Sequence, residues 1–386
     1  MFTKNKNRVT TVLQVSAMMM LSIIVLSGCT STESDIGLSD DDEPISFLVE
    51  DADMDFTRGE YQTAKEFETY SIYSFYKNNV YIADAVQTRV NGAWKSSRTI
   101  SFPGRNALDF YALKPGFERS DIQNLTMTSD EKSFVHKLPN ENAKQEDFMF
   151  SSLLQRTKAG TKNGVLTFKF KHMFAYLRFA GKCSVDGLKV LVHSFTIHNI
   201  KSTGKFTYSS TKEYTGSWTL QDDLDDYKYL MPADKELTGR SEMVHTADSL
   251  LFVLAQKPSV FAISDNSSFA DADAQGKAYL EIECRVWKME DDGVTPQYIG
   301  CSATTWAKVY YPLSETTNWV TRSNPFGGMF NVMFDYTGGY TYEGEDFLKK
   351  HTNGAMTMVS IEPVKSFLVT NPWEDDDYNS QTLEMK

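Results

Sequence analysis

Leu166-Thr167-Phe168-Lys169-Phe170-Lys171 alternates apolar and polar side chains at every step, and beyond His172 comes Met173-Phe174-Ala175-Tyr176-Leu177-Arg178-Phe179. A period of two puts Leu166, Phe168 and Phe170 on one face of an extended chain and Thr167, Lys169 and Lys171 on the other, as in a half-buried strand. In the second run Phe174, Tyr176 and Arg178 oppose Met173, Ala175, Leu177 and Phe179. The strand is therefore expected to continue through a bulge or bend near His172.

The same period recurs along the chain. Ile45, Phe47 and Val49 alternate with Ser46, Leu48 and Glu50, and Phe67 to Phe75, Val80 to Val86, Leu108 to Leu113 and Val190 to Ile200 are further strand candidates. No long stretch holds a 3.6-residue period, although Ser120 to Asn124 and Glu345 to Lys350 suit short helices. The 25 Phe and 19 Tyr fall in alternating runs, which favours strands. The expected class is all-β.

A hairpin can be written out in register. Leu280, Ile282, Cys284 and Val286 share a face, Asp291-Asp292-Gly293 supplies a turn, and Ile299, Cys301 and Ala303 return. Pairing about that turn sets Cys284 opposite Cys301, Val286 opposite Ile299 and Ile282 opposite Ala303, so the two apolar faces coincide. This admits either a disulfide between Cys284 and Cys301 or two small buried thiols facing one another. Cys183 would then be unpaired.

At the start of the chain, Lys4, Lys6 and Arg8 precede an apolar run, Val12 to Leu26, that closes in Leu26-Ser27-Gly28-Cys29. A basic start, an apolar segment shorter than the ~20 residues of a spanning helix, and small residues before a cysteine make a secretory signal. The Leu-Ser-Gly-Cys run resembles the lipobox of bacterial lipoproteins. Residues 1–28 are then a lipoprotein signal peptide, and Cys29 carries lipid that anchors the chain in a membrane leaflet. Residues 29–44, with Asp40-Asp41-Asp42-Glu43, form an acidic tether that has too little apolar surface to fold. Loss of three basic residues with the signal takes the formal net charge from -12 to -15. With no basic run after residue 10, nucleic acid is not an expected partner.

Roughly 340 residues remain, more than one sandwich-sized core uses, so two domains are expected. The division is set at 45–205 and 206–386, where a strand-rich block gives way to the polar stretch Thr211 to Asp226.

Catalytic patterns are not found. The six histidines show no pair at helical metal-ligand spacing, and His193 and His198, five apart on a strand, are expected on opposite faces. There is no nucleophile elbow, phosphate loop or dinucleotide fingerprint, and the cysteines lack zinc spacing. Asp271-Ala272-Asp273-Ala274-Gln275-Gly276 imitates the start of a calcium loop, but Ile282 stands where the bidentate carboxylate is needed, so a solvated turn is expected. The tryptophans, Trp287 and Trp306 among them, are expected to serve in packing. No catalytic, cofactor-binding or metal-binding residue is assigned, and the chain is read as a non-enzyme.

Several stretches, taken in order behind the lipobox, resemble the fimbrillin family of lipoprotein pilins. They are Ile45-Ser46-Phe47 with Thr57-Arg58-Gly59, Leu108-Asp109-Phe110-Tyr111-Ala112 with Pro115, and Phe170 to Leu177. Phe195 to Ile200 and the closing Pro363-Val364 to Asn371-Pro372-Trp373 complete the series. A Trp-x-x-Gly-x-x-Tyr-x-Tyr run common near the end of the family is met only roughly, by Trp319 and Gly327-Gly328-Met329-Phe330.

The resemblance implies two tandem transthyretin-like β-sandwich domains and a place in type V pili at the surface of Gram-negative cells, reached as an outer-membrane lipoprotein. It also implies cleavage by a trypsin-like protease after an arginine, release of the first strand, and filling of the vacated groove by a strand from a neighbouring subunit. Arg58 is the matching position, with an uncut loop arginine as the alternative; Ile45, Phe47 and Val49 belong to the strand a cut there would release. Partners so implied are other pilus subunits through strand exchange, outer-membrane lipid through Cys29, and a host or bacterial surface receptor. The short polar tail after Trp373 favours an accessory, tip or anchor subunit over a stalk subunit. A rival expectation is an outer-membrane glycan-binding lipoprotein of a polysaccharide uptake system, which exposed aromatic rings would favour.

Overall fold

The computed structural model describes residues 44–51, 68–239, 242–243, 251–263, 267–313, 329–336, 338–352, 366–370 and 381–382. In chain order the strands begin with β1 (Ser46–Asp51), β2 (Thr69–Tyr76), β3 (Asn79–Val90), β4 (Ala93–Ser96), β5 (Leu108–Lys114), β6 (Ile122–Met127) and β7 (Lys132–Lys137). Next come β8 (Met149–Arg156), β9 (Val165–His172), β10 (Ala175–Lys182), β11 (Leu188–Lys201), β12 (Thr203–Tyr208), β13 (Gly216–Leu220) and β14 (Leu224–Glu236). The rest are β15 (Glu242–Met243), β16 (Leu251–Val253), β17 (Tyr279–Met289), β18 (Pro296–Tyr298), β19 (Ala307–Pro312), β20 (Met329–Asp335), β21 (Ser366–Thr370) and β22 (Gln381–Thr382). Two short helices, α1 (Phe269–Ala274) and α2 (Phe347–His351), lie among them. The protein is all-β, as its periodicity predicts.

Among the described residues the strands form four sheets. A seven-stranded sheet runs β1-β9-β8-β5-β2-β3-β4, and a four-stranded sheet runs β13-β12-β7-β6. A five-stranded sheet runs β14-β11-β17-β18 with β19 also on β17, and a six-stranded sheet runs β15-β10-β20-β21-β22 with β16 also on β10.

The seven-stranded sheet is buried on both faces. One face sends Phe75, Tyr111, Leu113 and Phe150 into a large core shared with Phe134, Phe206 and Tyr208 of the four-stranded sheet. The other holds Tyr70, Ile72, Phe110, Phe168 and Phe170 in a second core, closed by Ile100, Phe102 and the first strand's Ile45 and Phe47. Burial on both sides explains why β5 reads as a nearly continuous apolar run.

Sheet membership does not follow the chain linearly. β9 belongs to the seven-stranded sheet, and two residues later β10 enters the six-stranded one. The irregularity expected near His172 is thus a change of sheet, not a bulge within one strand. It is held by the Met173 N–H, which donates to the Phe148 carbonyl at 2.9 Å, and by the Trp218 indole N–H, which donates to the Met173 carbonyl at 2.9 Å. Phe174 stacks on Trp218 with centroids 6.1 Å apart. β11 then lies between β14 and β17, while β12 returns to pair with β7 and carries β13 on its other edge.

Two local expectations are corrected. Residues 120–124 are not helical, because strand β6 begins at Ile122 and pairs with His136. The calcium-loop imitation is helix α1, whose Ser268 and Asp271 form a reciprocal capping box. The helix expected at 345–350 is α2.

The hairpin about Asp292-Gly293 starts in the expected frame. Trp287 pairs with Tyr298, and the Ile299 N–H donates to the Val286 carbonyl at 2.8 Å. Asp292 accepts from the Val294 and Thr295 amides, both at 2.8 Å, while Gly293 takes the left-handed φ of 67° that closes the turn. The returning chain then leaves the ladder, and β19 takes over with Cys284 opposite Ala307 and Ile282 opposite Val309. Residues 300–306 are looped out, so the expected pairing of Ile282 with Ala303 does not occur.

Candidate functional site: the groove along β9

Strand β1 lies at the edge of the seven-stranded sheet, parallel to β9, with Ser46 opposite Val165, Phe47 opposite Leu166 and Val49 opposite Phe168. Its alternation is expressed in burial: Ile45 and Phe47 are 6% and 5% exposed, whereas Leu48 is 51% exposed. Val49 is partly buried against the same core. Phe47 stacks on Phe168 at 5.7 Å and meets the edge of Phe110 at 6.0 Å. Beneath them Tyr70 sits edge-on to Phe168 and Phe170, at 5.9 and 5.2 Å, and burial pushes its phenol well above the ordinary range. The N-terminal end is pinned by the Ile45 N–H on the Ile100 carbonyl at 2.7 Å and the Ser46 N–H on the Gly164 carbonyl at 3.0 Å.

The partner strand depends on β1. β9 pairs with β8 only at Met149 with His172 and Phe150 with Lys171, whereas β1 covers Val165 to Phe170. Removing β1 would take away the ladder along most of β9 and uncover an aromatic floor of Phe110, Phe168 and Phe170. Such an edge, offering backbone donors and acceptors beside an apolar slot, is built to receive an extended segment.

Cys29 and Arg58 lie outside the described residues. Arg58 falls within the interval 52–67 that joins β1 to β2. Cys183, Cys284 and Cys301 are free thiols, so the bridge admitted between Cys284 and Cys301 is not formed. The Cys301 thiol donates to the Val286 carbonyl at 3.3 Å, while Cys284 faces the core. Burial pushes the Cys284 thiol well up, away from its reactive thiolate form.

The outer face of the five-stranded sheet is the other concentration of rings and charges. A register shift in β11 between Val192 and Ser194 places His193 in a bulge and reverses the parity beyond it. His193 and His198 therefore share one face, contrary to the expectation from their spacing. His193 stacks on Trp306 at 4.4 Å and pairs with Asp234 at 2.7 Å, and the Arg285 guanidinium lies 3.9 Å from the same indole centre. Trp306 is thus a surface ring and not a core filler, and protein groups already cover it.

His198 stacks on Tyr279 at 4.4 Å between Asp226 at 3.1 Å and Glu281 at 3.4 Å, and Glu281 also meets Lys308 at 2.9 Å. Burial alone would push the imidazole down, but the two carboxylates outweigh it and hold it up at about 9. Burial would likewise raise Glu281, yet His198 and Lys308 hold it down at about 2.

The His198 contribution is complete below about 6.5 and lost as pH rises through about 9; that of Glu281 is complete above about 4.5 and lost as pH falls through about 2. Stability measured by urea unfolding is expected to fall by on the order of 2 kcal/mol between pH 6 and pH 10. In His198→Gln that alkaline decline should be largely gone; an unchanged decline would mean that the pairing of His198 with Asp226 and Glu281 does not stabilise the fold.

One buried cluster had no counterpart in the sequence reading. His172 Nδ1 lies 2.6 Å from Asp147 Oδ2, the Tyr176 hydroxyl donates to Asp147 Oδ1 at 3.1 Å, and Tyr176 and His172 are themselves hydrogen-bonded. All three are buried, so the trio fastens the β9 to β10 crossing and has no access to a substrate. The signal was the Lys-His-Met-Phe-Ala-Tyr run, whose His and Tyr stand four apart across the change of sheet.

Comparison with known proteins adds the following. The family model described as fimbrillin-like matches residues 54–282. No curated protein matches the sequence. Among solved structures, the fimbrial anchor protein Mfa2 from Porphyromonas gingivalis is 6% identical, with 89% of this chain and 100% of that chain covered and a TM-score of 0.33. A candidate cell adhesion protein from Parabacteroides distasonis is 11% identical, with 87% and 100% covered and a TM-score of 0.42.

Proposed function

Because the chain belongs to the fimbrillin-like family, we propose that it is a cell-surface pilus subunit, held in the outer membrane by lipid on Cys29 and assembled by strand exchange along β9. In this reading the chain forms two transthyretin-like sandwiches whose strands are interleaved across residue 205, cleavage after Arg58 frees β1, and a strand from a neighbouring subunit takes its place. The role is adhesive and structural, not catalytic, and fits an accessory, tip or anchor position.

The observation that carries the proposal is the dependence of β9 on β1: the ladder from Val165 to Phe170 is made with β1 and with no other strand among the described residues. Burying Ile45, Phe47 and Val49 contributes about 5 kcal/mol before ordering costs, so an incoming strand gains enough to displace water from the groove. The glycan-uptake reading receives less support, because Trp306 is occupied by Arg285 and His193.

Digesting the native precursor with a trypsin-like protease, followed by amino-terminal sequencing and size-exclusion chromatography, tests the proposal. A cut after Arg58 is expected to convert the monomer into oligomers. Resistance at Arg58, or a cut product that stays monomeric with β1 bound, would contradict it.

A further inference from the structure

At one rim of the seven-stranded sheet three strand ends meet: the turn from β2 to β3, the start of β5 and the end of β8, which are neighbours in the strand order. They enclose a cavity of about 160 Å3 lined by Tyr76, Lys77, Asn78, Asn106, Asp109 and Gln155. The backbone is irregular on two sides of it. Lys77 and Asn78 take φ of 47° and 65° in the turn, and Gln155 takes 53° where the β5 to β8 register slips between Leu108 and Phe110. That bulge aims Gln155 at Asp109, whose Oδ1 accepts both the Gln155 backbone N–H at 2.6 Å and its side-chain amide at 2.9 Å. Asp109 itself is one of the residues that line the cavity.

We propose that this cavity binds one neutral sugar ring, the end of a surface glycan. Its volume is well below the ~300–1,000 Å3 of sites for drug-sized ligands, so a single ring is what fits. Its charges balance, one ammonium on Lys77 against one carboxylate on Asp109, which matches a ligand without net charge. Three carboxamides, Asn78, Asn106 and Gln155, both donate and accept, as vicinal hydroxyls require, and the Lys77 ammonium, held 5.0 Å from the Tyr76 ring centre, adds a donor. Asn78, Asn106 and Gln155 are exposed, so a chain end can enter without any rearrangement of the core.

This names a ligand class for the adhesive reading above, but it is tested on the uncut monomer and stands or falls apart from assembly. Amide shifts are followed by NMR while glucose, galactose, mannose and N-acetylglucosamine are each titrated into the purified chain. At least one is expected to move the Lys77, Asn78 and Gln155 amides with millimolar affinity. Asp109→Asn should weaken that binding roughly tenfold, the loss of one charge-assisted hydrogen bond. Asn106→Ala, on an exposed loop, should weaken it without lowering the melting temperature, and Trp306→Ala should leave it unchanged. Overturning outcomes are silence from all four sugars, binding that survives both Asp109→Asn and Asn106→Ala, or shifts confined to the Trp306 face.

Discussion

A chain ended after residue 205, where composition places the division between halves, is expected to show no cooperative thermal transition and no dispersed amide spectrum. The fragment loses half of β12 and all of β13, and with them Phe206 and Tyr208, both buried in the large core. Phe206 meets Phe150 at 4.9 Å and Phe134 at 5.5 Å; Tyr208 meets Tyr111 at 5.3 Å and donates to the Ala112 carbonyl at 3.0 Å. Burial of these two rings alone is worth about 5 kcal/mol, comparable with the ~5–15 kcal/mol by which a whole domain is stable. The fragment also keeps β10 and β11 without β20, β14 or β17, leaving apolar strands unpaired. Residues 206–386 made alone should fail for the converse reason, since β11 is the strand between β14 and β17. Cooperative melting of residues 45–205 near the temperature of the full chain would show that the interleaving of strands carries little stability.

The second large effect is expected at Phe47. Phe47→Asp puts a carboxylate between Phe168 and Phe110, where nothing pairs with it, and burying an unpaired charge costs several kcal/mol. Undocking of the edge strand is the cheaper response. Hydrogen exchange should then speed up about a hundredfold at 45–51 and at 165–170, the segment that β1 covers, while the strands of the five-stranded sheet keep their protection. Leu48→Asp, one residue along on the exposed face, should change stability by no more than ~0.5 kcal/mol. Equal effects at the two positions would mean that β1 is not seated by its inward side chains.

These expectations also mark what could be read in the chain and what could not. The alternation at Leu166, Phe168 and Phe170 and at Ile45 and Phe47 was legible because a period of two is a local property, fixed by which face meets a core. The turn at Asp292-Gly293 was legible because its chemistry is local too. The identity of a strand's partners is not local: nothing in the run around His172 says that β9 and β10 enter different sheets, because both need the same apolar alternation. One extra residue at His193 reversed the face of His198, and seven residues looped out at 300–306 gave Ile282 the partner Val309 in place of Ala303; a pattern count sees neither. Asp147 meets His172 only through the fold. The capping box at Ser268 and Asp271, by contrast, was present in the sequence and masked by its likeness to a calcium loop.

That β9 offers a groove for an exchangeable strand is tested most directly by supplying the strand in trans. Protein cut after Arg58 and freed of its amino-terminal segment is mixed with a labelled peptide spanning residues 45–51, and binding is followed by fluorescence anisotropy together with exchange at residues 165–170. Saturable binding that restores protection from Val165 to Phe170 and suppresses oligomer formation is predicted, with the Phe47→Asp peptide at least a hundredfold weaker, the equivalent of about 2.7 kcal/mol. Failure of the peptide to bind, or binding that leaves residues 165–170 as exposed as before, would contradict strand exchange at this groove.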